Sequence, residues 1–280
     1  MLTFSQALIL GLIQGITELF PVSSLGHSVL LPSLLGWHID QHDPYFVSFL
    51  VLTHLATALV LLAFFWADWI RIIGGIFRSL STRTISNDPS ARLGWLLILG
   101  TVPAGLIGLL LQKKFEALFA APTIVAVFLI GNGVLLFGAE TLSRRRAKVE
   151  AGSDNRLARL SWTQSLGIGL MQCLALLPGF SRTGATITGG LLSGLSHLDA
   201  ARFSFLLATP IILAAAVLKV PHLAFVGGQG IEIALVGAIA SAFSAYLAVR
   251  YLGRYFKTKT LTPFAVYCIL LGILSLFLLS

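Results

Sequence analysis

Charge is what this 280-residue sequence has least of: Asp, Glu, Lys and Arg make up 11% of it, against about 25% in a soluble domain. Set beside 56% hydrophobic residues, that shortage excludes a soluble protein and defines an integral membrane one. Cysteine is sparse too. Cys173 and Cys268 fall within apolar segments without metal-ligand spacing and are read as packing residues. No Lys or Arg precedes Arg71, so the basic start of a cleaved signal peptide is missing and the first apolar stretch is expected to be retained. The net charge of +8 does not point to nucleic acid, because the basic residues cluster in loops between apolar runs, where membrane orientation accounts for them better.

What is present is long apolar segments. A helix needs about 20 apolar residues to cross a bilayer, and segments near 46–66, 93–112, 122–142, 201–219, 231–250 and 262–279 qualify. Residues 4–36 and 161–195 do not fit: each is interrupted by Pro and Gly, at 21–26 and 178–184. Freed backbone groups at membrane depth must be buried in protein or face a wet cavity. Each region therefore reads as a re-entrant helical hairpin. The two also align at a constant offset: Gln6, Leu8, Gly11, Leu12, Gln14, Leu19, Ser23 and Gly26 match Gln164, Leu166, Gly169, Leu170, Gln172, Leu177, Ser181 and Gly184. The expected architecture is an all-α polytopic membrane protein in one domain over 1–280, with six full spans and two re-entrant hairpins. Repeat one covers about 1–142 and repeat two about 161–280.

Loops 67–92, 143–160 and 251–261 hold 13 of the 19 basic residues, which assigns them to the cytoplasm. Asp40 and Asp43 precede the first full span, with no basic residue beside them, as suits the outer face. Three spans between the hairpins then make the second repeat inverted relative to the first, an arrangement that builds midplane sites from broken helices.

Glu18 is the only Asp, Glu, Lys or Arg before Asp40, and Arg182 lies in the second break. Ionisable groups at that depth are functional hypotheses by default. Gln14 and Glu18 share a helical face at i, i+4, where an amide and a carboxylate suit a metal ion or a water. Ser23, Ser24 and His27 begin the half-helix after Pro21, and Ser181, Arg182, Thr183 and Thr186 begin its counterpart. Helix N-termini bind anions, and a guanidinium matches phosphate oxygens. A hydroxyl near a His, a Glu and an Arg is a kit for phosphoryl transfer. Packing hydrogen bonds between helices are the alternative for Ser23, a helix cap for His27, and a structural ion pair for Glu18 and Arg182. His54, inside the first full span, is a weaker candidate: it could face the site, but packing accounts for it at least as well.

Gln14-x-x-x-Glu18 followed by Pro21-Val22-Ser23-Ser24-Leu25-Gly26-His27, together with Pro178-Gly179-Phe180-Ser181-Arg182-Thr183-Gly184-Ala185-Thr186, resembles the undecaprenyl pyrophosphate phosphatase family of bacterial membranes, also called bacitracin resistance proteins. The resemblance implies hydrolysis of the terminal phosphate of undecaprenyl pyrophosphate, which recycles the lipid carrier for wall polymers. It implies an inner-membrane location, a site open to the outer face and stimulation by Mg²⁺ or Ca²⁺. By motif position, Glu18, Ser24, His27 and Arg182 would be catalytic, with Ser24 the favoured nucleophile over His27. Gln14, Ser23, Ser181, Thr183 and Thr186 would bind substrate, and Glu18 and Gln14 would be the metal ligands. The partners implied are the polyprenyl pyrophosphate substrate and membrane lipids, not nucleic acid; a homodimer stays open. The first motif position is Gln14 where many members have Glu, and Leu50 stands where many have a carboxylate. A weaker metal requirement is expected from both. A transporter or flippase of an undecaprenyl phosphate-type lipid is the alternative, since inverted repeats also serve alternating access.

Overall fold

A computed structural model describes residues 2–41, 43–85, 88–119, 121–143, 154–223 and 228–279. These residues form helices and turns, with no strand among them. In chain order the helices are α1 (Phe4–Leu19), α2 (Ser24–Leu34), α3 (Pro44–Phe64), α4 (Trp66–Thr82), α5 (Pro89–Phe119) and α6 (Pro122–Ser143). They continue with α7 (Asp154–Leu157), α8 (Trp162–Gln172), α9 (Arg182–Leu192), α10 (His197–Leu223), α11 (Gly228–Tyr255) and α12 (Thr262–Leu279). A 3₁₀ turn, Cys173–Leu176, extends α8.

Six helices contain stretches long and apolar enough to cross a membrane: Pro44–Phe64, Pro89–Leu111, Pro122–Ser143, His197–Val217, Gly230–Tyr255 and Thr262–Leu279. Each expected span is found, with ends shifted by a few residues. Both regions expected to be broken are helix pairs, α1 with α2 and α8 with α9, interrupted at 20–23 and 173–181.

The two pairs begin alike. Thr3 Oγ1 accepts from Gln6 N while Thr3 N donates to Gln6 Oε1, and Ser161 with Gln164 repeats that reciprocal cap. After each break a serine side chain caps the next helix: Ser23 Oγ accepts from Gly26 N at 3.2 Å, and Ser181 Oγ accepts from Gly184 N at 3.1 Å. Hydrocarbon offers no hydrophobic drive between helices, so close backbone packing takes its place. Accordingly α1 crosses α11 with Gly11 against Gly237, and α8 crosses α5 with Gly169 against Gly100. A Cβ at Gly11 or Gly169 would overlap the opposing carbonyl.

The segment 67–92, expected to be a loop, is helical over its first part as α4. Trp66, Ile70, Ile73, Phe77 and Leu80 form an exposed apolar stripe along it, while Ile72, Gly75 and Ser79 are buried. Arg71 and Arg78 interrupt the apolar run and hide the helical period in the sequence. Asp68 pairs with Arg202 of α10 at 3.0 Å, and Arg78 pairs with Asp88 at 2.6 Å. Asp88 also caps α5 through Ser90 N and Ala91 N, and the Arg78 hydrogen bond holds its carboxyl below the usual carboxylate range. Of the expected loop 143–160, residues 144–153 lie outside the described residues.

Candidate active site

The breaks in the two helix pairs meet. Thr183 Oγ1, in the first turn of α9, donates to the Glu18 backbone carbonyl at the end of α1 (2.9 Å). Asn132 of α6, fully buried, ties both breaks together: its Nδ2 donates to Pro21 O at 3.0 Å and its Oδ1 accepts from Ser181 N at 3.0 Å. Two backbone groups of the interrupted segments are thus satisfied by protein, as burial away from water demands.

Glu18 is the hub. Its Oε1 accepts from Arg182 Nη2 at 2.8 Å. Its Oε2 accepts from Ser24 Oγ at 2.5 Å and from Gln14 Nε2 at 3.1 Å. His54 Nε2 stands 3.4 Å from the same oxygen, and its Nδ1 faces Leu50 O at 2.7 Å. Glu18 and Arg182 come from regions 164 residues apart in sequence. Their side chains are 6% and 13% exposed, so the pair is largely removed from water, and removing either partner would strand a buried charge.

Gln14, Ser24 and Arg182 are therefore brought to one carboxylate, as the motifs suggest, and His54 joins them. The remaining candidates do not hydrogen-bond to that carboxylate. Ser181, Thr183 and Thr186 are buried and engaged in packing. Ser181 Oγ caps α9, Thr183 holds Glu18 O, and Thr186 Oγ1 bonds to Arg182 O (2.8 Å) and to Ser204 Oγ (2.6 Å). Ser23 caps α2. His27 is joined to neither Ser24 nor Glu18: its Nδ1 lies 2.7 Å from Ser23 O and its Nε2 lies 2.7 Å from Tyr267 OH. Sequence reasoning missed Asn132, a lone amide in an apolar span, although polar residues at that depth are a signal in themselves.

Two polar atoms around the hub are buried with no hydrogen-bond partner among the described residues, Arg182 Nη1 and Gln14 Oε1. One is a donor with charge behind it; the other is an acceptor beside a carboxylate. The arrangement can hold an anion against the guanidinium while a carboxylate withdraws the proton of a hydroxyl.

Six bilayer-length helices together with such a buried carboxylate, hydroxyl and guanidinium define a multi-pass membrane protein with a buried polar cluster. The family described as "Bacitracin resistance protein BacA" matches residues 7–274, and the chain belongs to it. An undecaprenyl-diphosphatase of Mycolicibacterium paratuberculosis is 51% identical over 300 residues, covering 98% of this chain and 97% of that protein. An undecaprenyl-diphosphatase 2 of Chromobacterium violaceum is 48% identical over 277 residues, covering 97% of each. One of Frankia alni is 44% identical over 335 residues, covering 98% of this chain and 97% of that protein.

Proposed function

We propose that this protein is an undecaprenyl-diphosphatase, removing the terminal phosphate of undecaprenyl pyrophosphate to leave undecaprenyl phosphate and inorganic phosphate. The names of its relatives support the reaction. The observation that carries the chemistry is the 2.5 Å contact from Ser24 Oγ to the carboxylate that also holds Arg182. Glu18 takes the Ser24 proton as Oγ attacks the terminal phosphorus. The bond from phosphorus to the bridging oxygen breaks, and undecaprenyl phosphate leaves. Water then hydrolyses the phosphoserine, releasing phosphate and restoring the hydroxyl. Arg182, whose Nη1 has no hydrogen-bond partner among the described residues, takes the charge on the transferring phosphoryl oxygens. His54 steadies Glu18, its Nε2 lying 3.4 Å from the oxygen that accepts from Ser24.

A divalent cation, Mg²⁺ or Ca²⁺, fits one mode of binding. Gln14 Oε1 is buried and unpartnered, and it adjoins the Glu18 carboxylate through its own amide nitrogen. Among the described residues no three His, Cys, Asp or Glu side chains form a metal cage. The donors thus suit an ion carried in by pyrophosphate oxygens, the usual habit of Mg²⁺, with Glu18 and Gln14 as protein ligands. Such an ion would neutralise pyrophosphate charge as a Lewis acid.

The same reading makes the two helix pairs re-entrant hairpins of an inverted repeat. The matched caps, and the exchange by which α1 packs on α11 while α8 packs on α5, support it. On this reading the basic loops face the cytoplasm, the protein sits in the bacterial inner membrane and its site opens to the outer face. Phosphate release from undecaprenyl pyrophosphate by detergent-purified protein, with and without chelator, tests the function. A transporter would release none, and that result would sink the proposal.

A further inference from the structure

Ser23 stands immediately before Ser24 with φ at +69°, a conformation unfavourable for a non-glycine residue that the surroundings must hold in place. What holds its carbonyl is His27. Ser23 O accepts from His27 N at 3.2 Å and lies 2.7 Å from His27 Nδ1. A carbonyl can only accept, so Nδ1 carries the ring hydrogen and the neutral ring presents Nε2 as an acceptor. Tyr267 OH, 2.7 Å away on α12, donates to it. The two rings lie parallel, 2° apart in plane and 5.7 Å between centroids. The hydrogen bonds of the two rings run to Ser23 O and to each other, not to Glu18, Ser24 or Arg182.

We infer that His27 and Tyr267 form a brace rather than part of the reacting group. Tyr267 fixes the His27 tautomer, His27 holds the Ser23 carbonyl, and the left-handed turn at Ser23 aims the Ser24 hydroxyl at Glu18. Both are positioning residues. The inference rests on the phosphatase reading for its kinetic consequence only; the tautomer is a property of the resting protein.

The amide side chains of Asn and Gln separate the two roles. Asn carries an N–H where His27 has Nδ1, whereas Gln places its amide at the depth of Nε2, and neither can act as a base or nucleophile. A brace predicts that His27→Asn keeps turnover within about tenfold of the parent, while His27→Gln and His27→Ala fall about 100-fold, the scale of loss when a reacting group is misplaced by an ångström. Tyr267→Phe, which deletes one hydroxyl, should lower kcat by about tenfold with KM unchanged, within the range seen when an outer partner that fixes a ring is lost. Nitrogen NMR of His-labelled protein should show the Nδ1–H form in the parent and a mixture of tautomers in Tyr267→Phe. His27→Asn as inactive as His27→Ala would overturn the brace, and so would Tyr267→Phe with parental kcat and an unchanged tautomer. If the parent itself releases no phosphate, the phosphatase reading fails, while the tautomer measurement still decides the brace.

Discussion

Replacing Asn132 with Leu tests whether the two breaks are held in register by one amide. Leu is close to Asn in volume, so little cavity is made. What is lost is the donor to Pro21 O and the acceptor for Ser181 N, each at 3.0 Å and both buried. A buried backbone group left without a partner costs about 1–3 kcal/mol, so the pair together cost about 2–6 kcal/mol. The figure lies toward the lower end, because Cys268 Sγ, 3.9 Å from Pro21 O, offers that carbonyl a weak substitute. The loss is still a large share of the roughly 5–15 kcal/mol that holds a typical domain together. Thermal unfolding in detergent should show a clearly lowered midpoint. Phosphate release should fall by about 100-fold at temperatures where the variant is folded, since Ser24 and Arg182 are carried on the two segments Asn132 joins. An unchanged midpoint together with parental turnover would refute the reasoning and leave the Thr183 bond to Glu18 O as the sufficient tie.

Arg182→Lys should lose most activity, on the order of 100-fold, because an ammonium does not reproduce a planar fork that holds Glu18 through one nitrogen and has a second to offer; near-parental turnover at saturating substrate would contradict this. Gln14→Glu removes the amide donor 3.1 Å from Glu18 Oε2 and sets two carboxylates side by side, so activity should be kept or raised with Mg²⁺ and fall steeply in chelator; a Mg²⁺ titration superimposable on the parent's would end the metal assignment. A Cys introduced at Thr84, between α4 and α5, should resist an impermeant thiol reagent in intact cells and react after permeabilisation; labelling in intact cells would reverse the orientation.

The spans were legible because each is a long apolar run, and the hub was legible because Glu18 and Arg182 are charges in the wrong solvent. The convergence of Gln14, Ser24 and Arg182 on one carboxylate was foreseeable from paired motifs. His54 read at least as well as a packing residue, since one histidine in one span carries no spacing to weigh. Ser181, Thr183 and Thr186, expected as ligands, also make good ties, because a hydroxyl at a helix start serves an anion and a backbone carbonyl equally well. Tyr267 gave no sign at all, being one aromatic ring on an apolar helix, and its meaning comes only from the partner it meets 240 positions away. The helix α4 was hidden by arginines that read as loop charge.

The distance in sequence between Glu18 and its guanidinium has a bearing on how the chain is made. At about 5–20 residues per second, the 164 residues separating Glu18 from Arg182 take roughly 8–33 seconds to emerge. The backbone against which Gly11 fits, at Gly237, arrives later still. For that interval the Glu18 carboxylate, a kind of group that costs about 2.5–3.5 kcal/mol where it is set at a bilayer centre, lacks its guanidinium, and α1 lacks the helix it packs on. The first helix pair is thus translated first and seated late, when the second half of the protein supplies both its guanidinium and its berth.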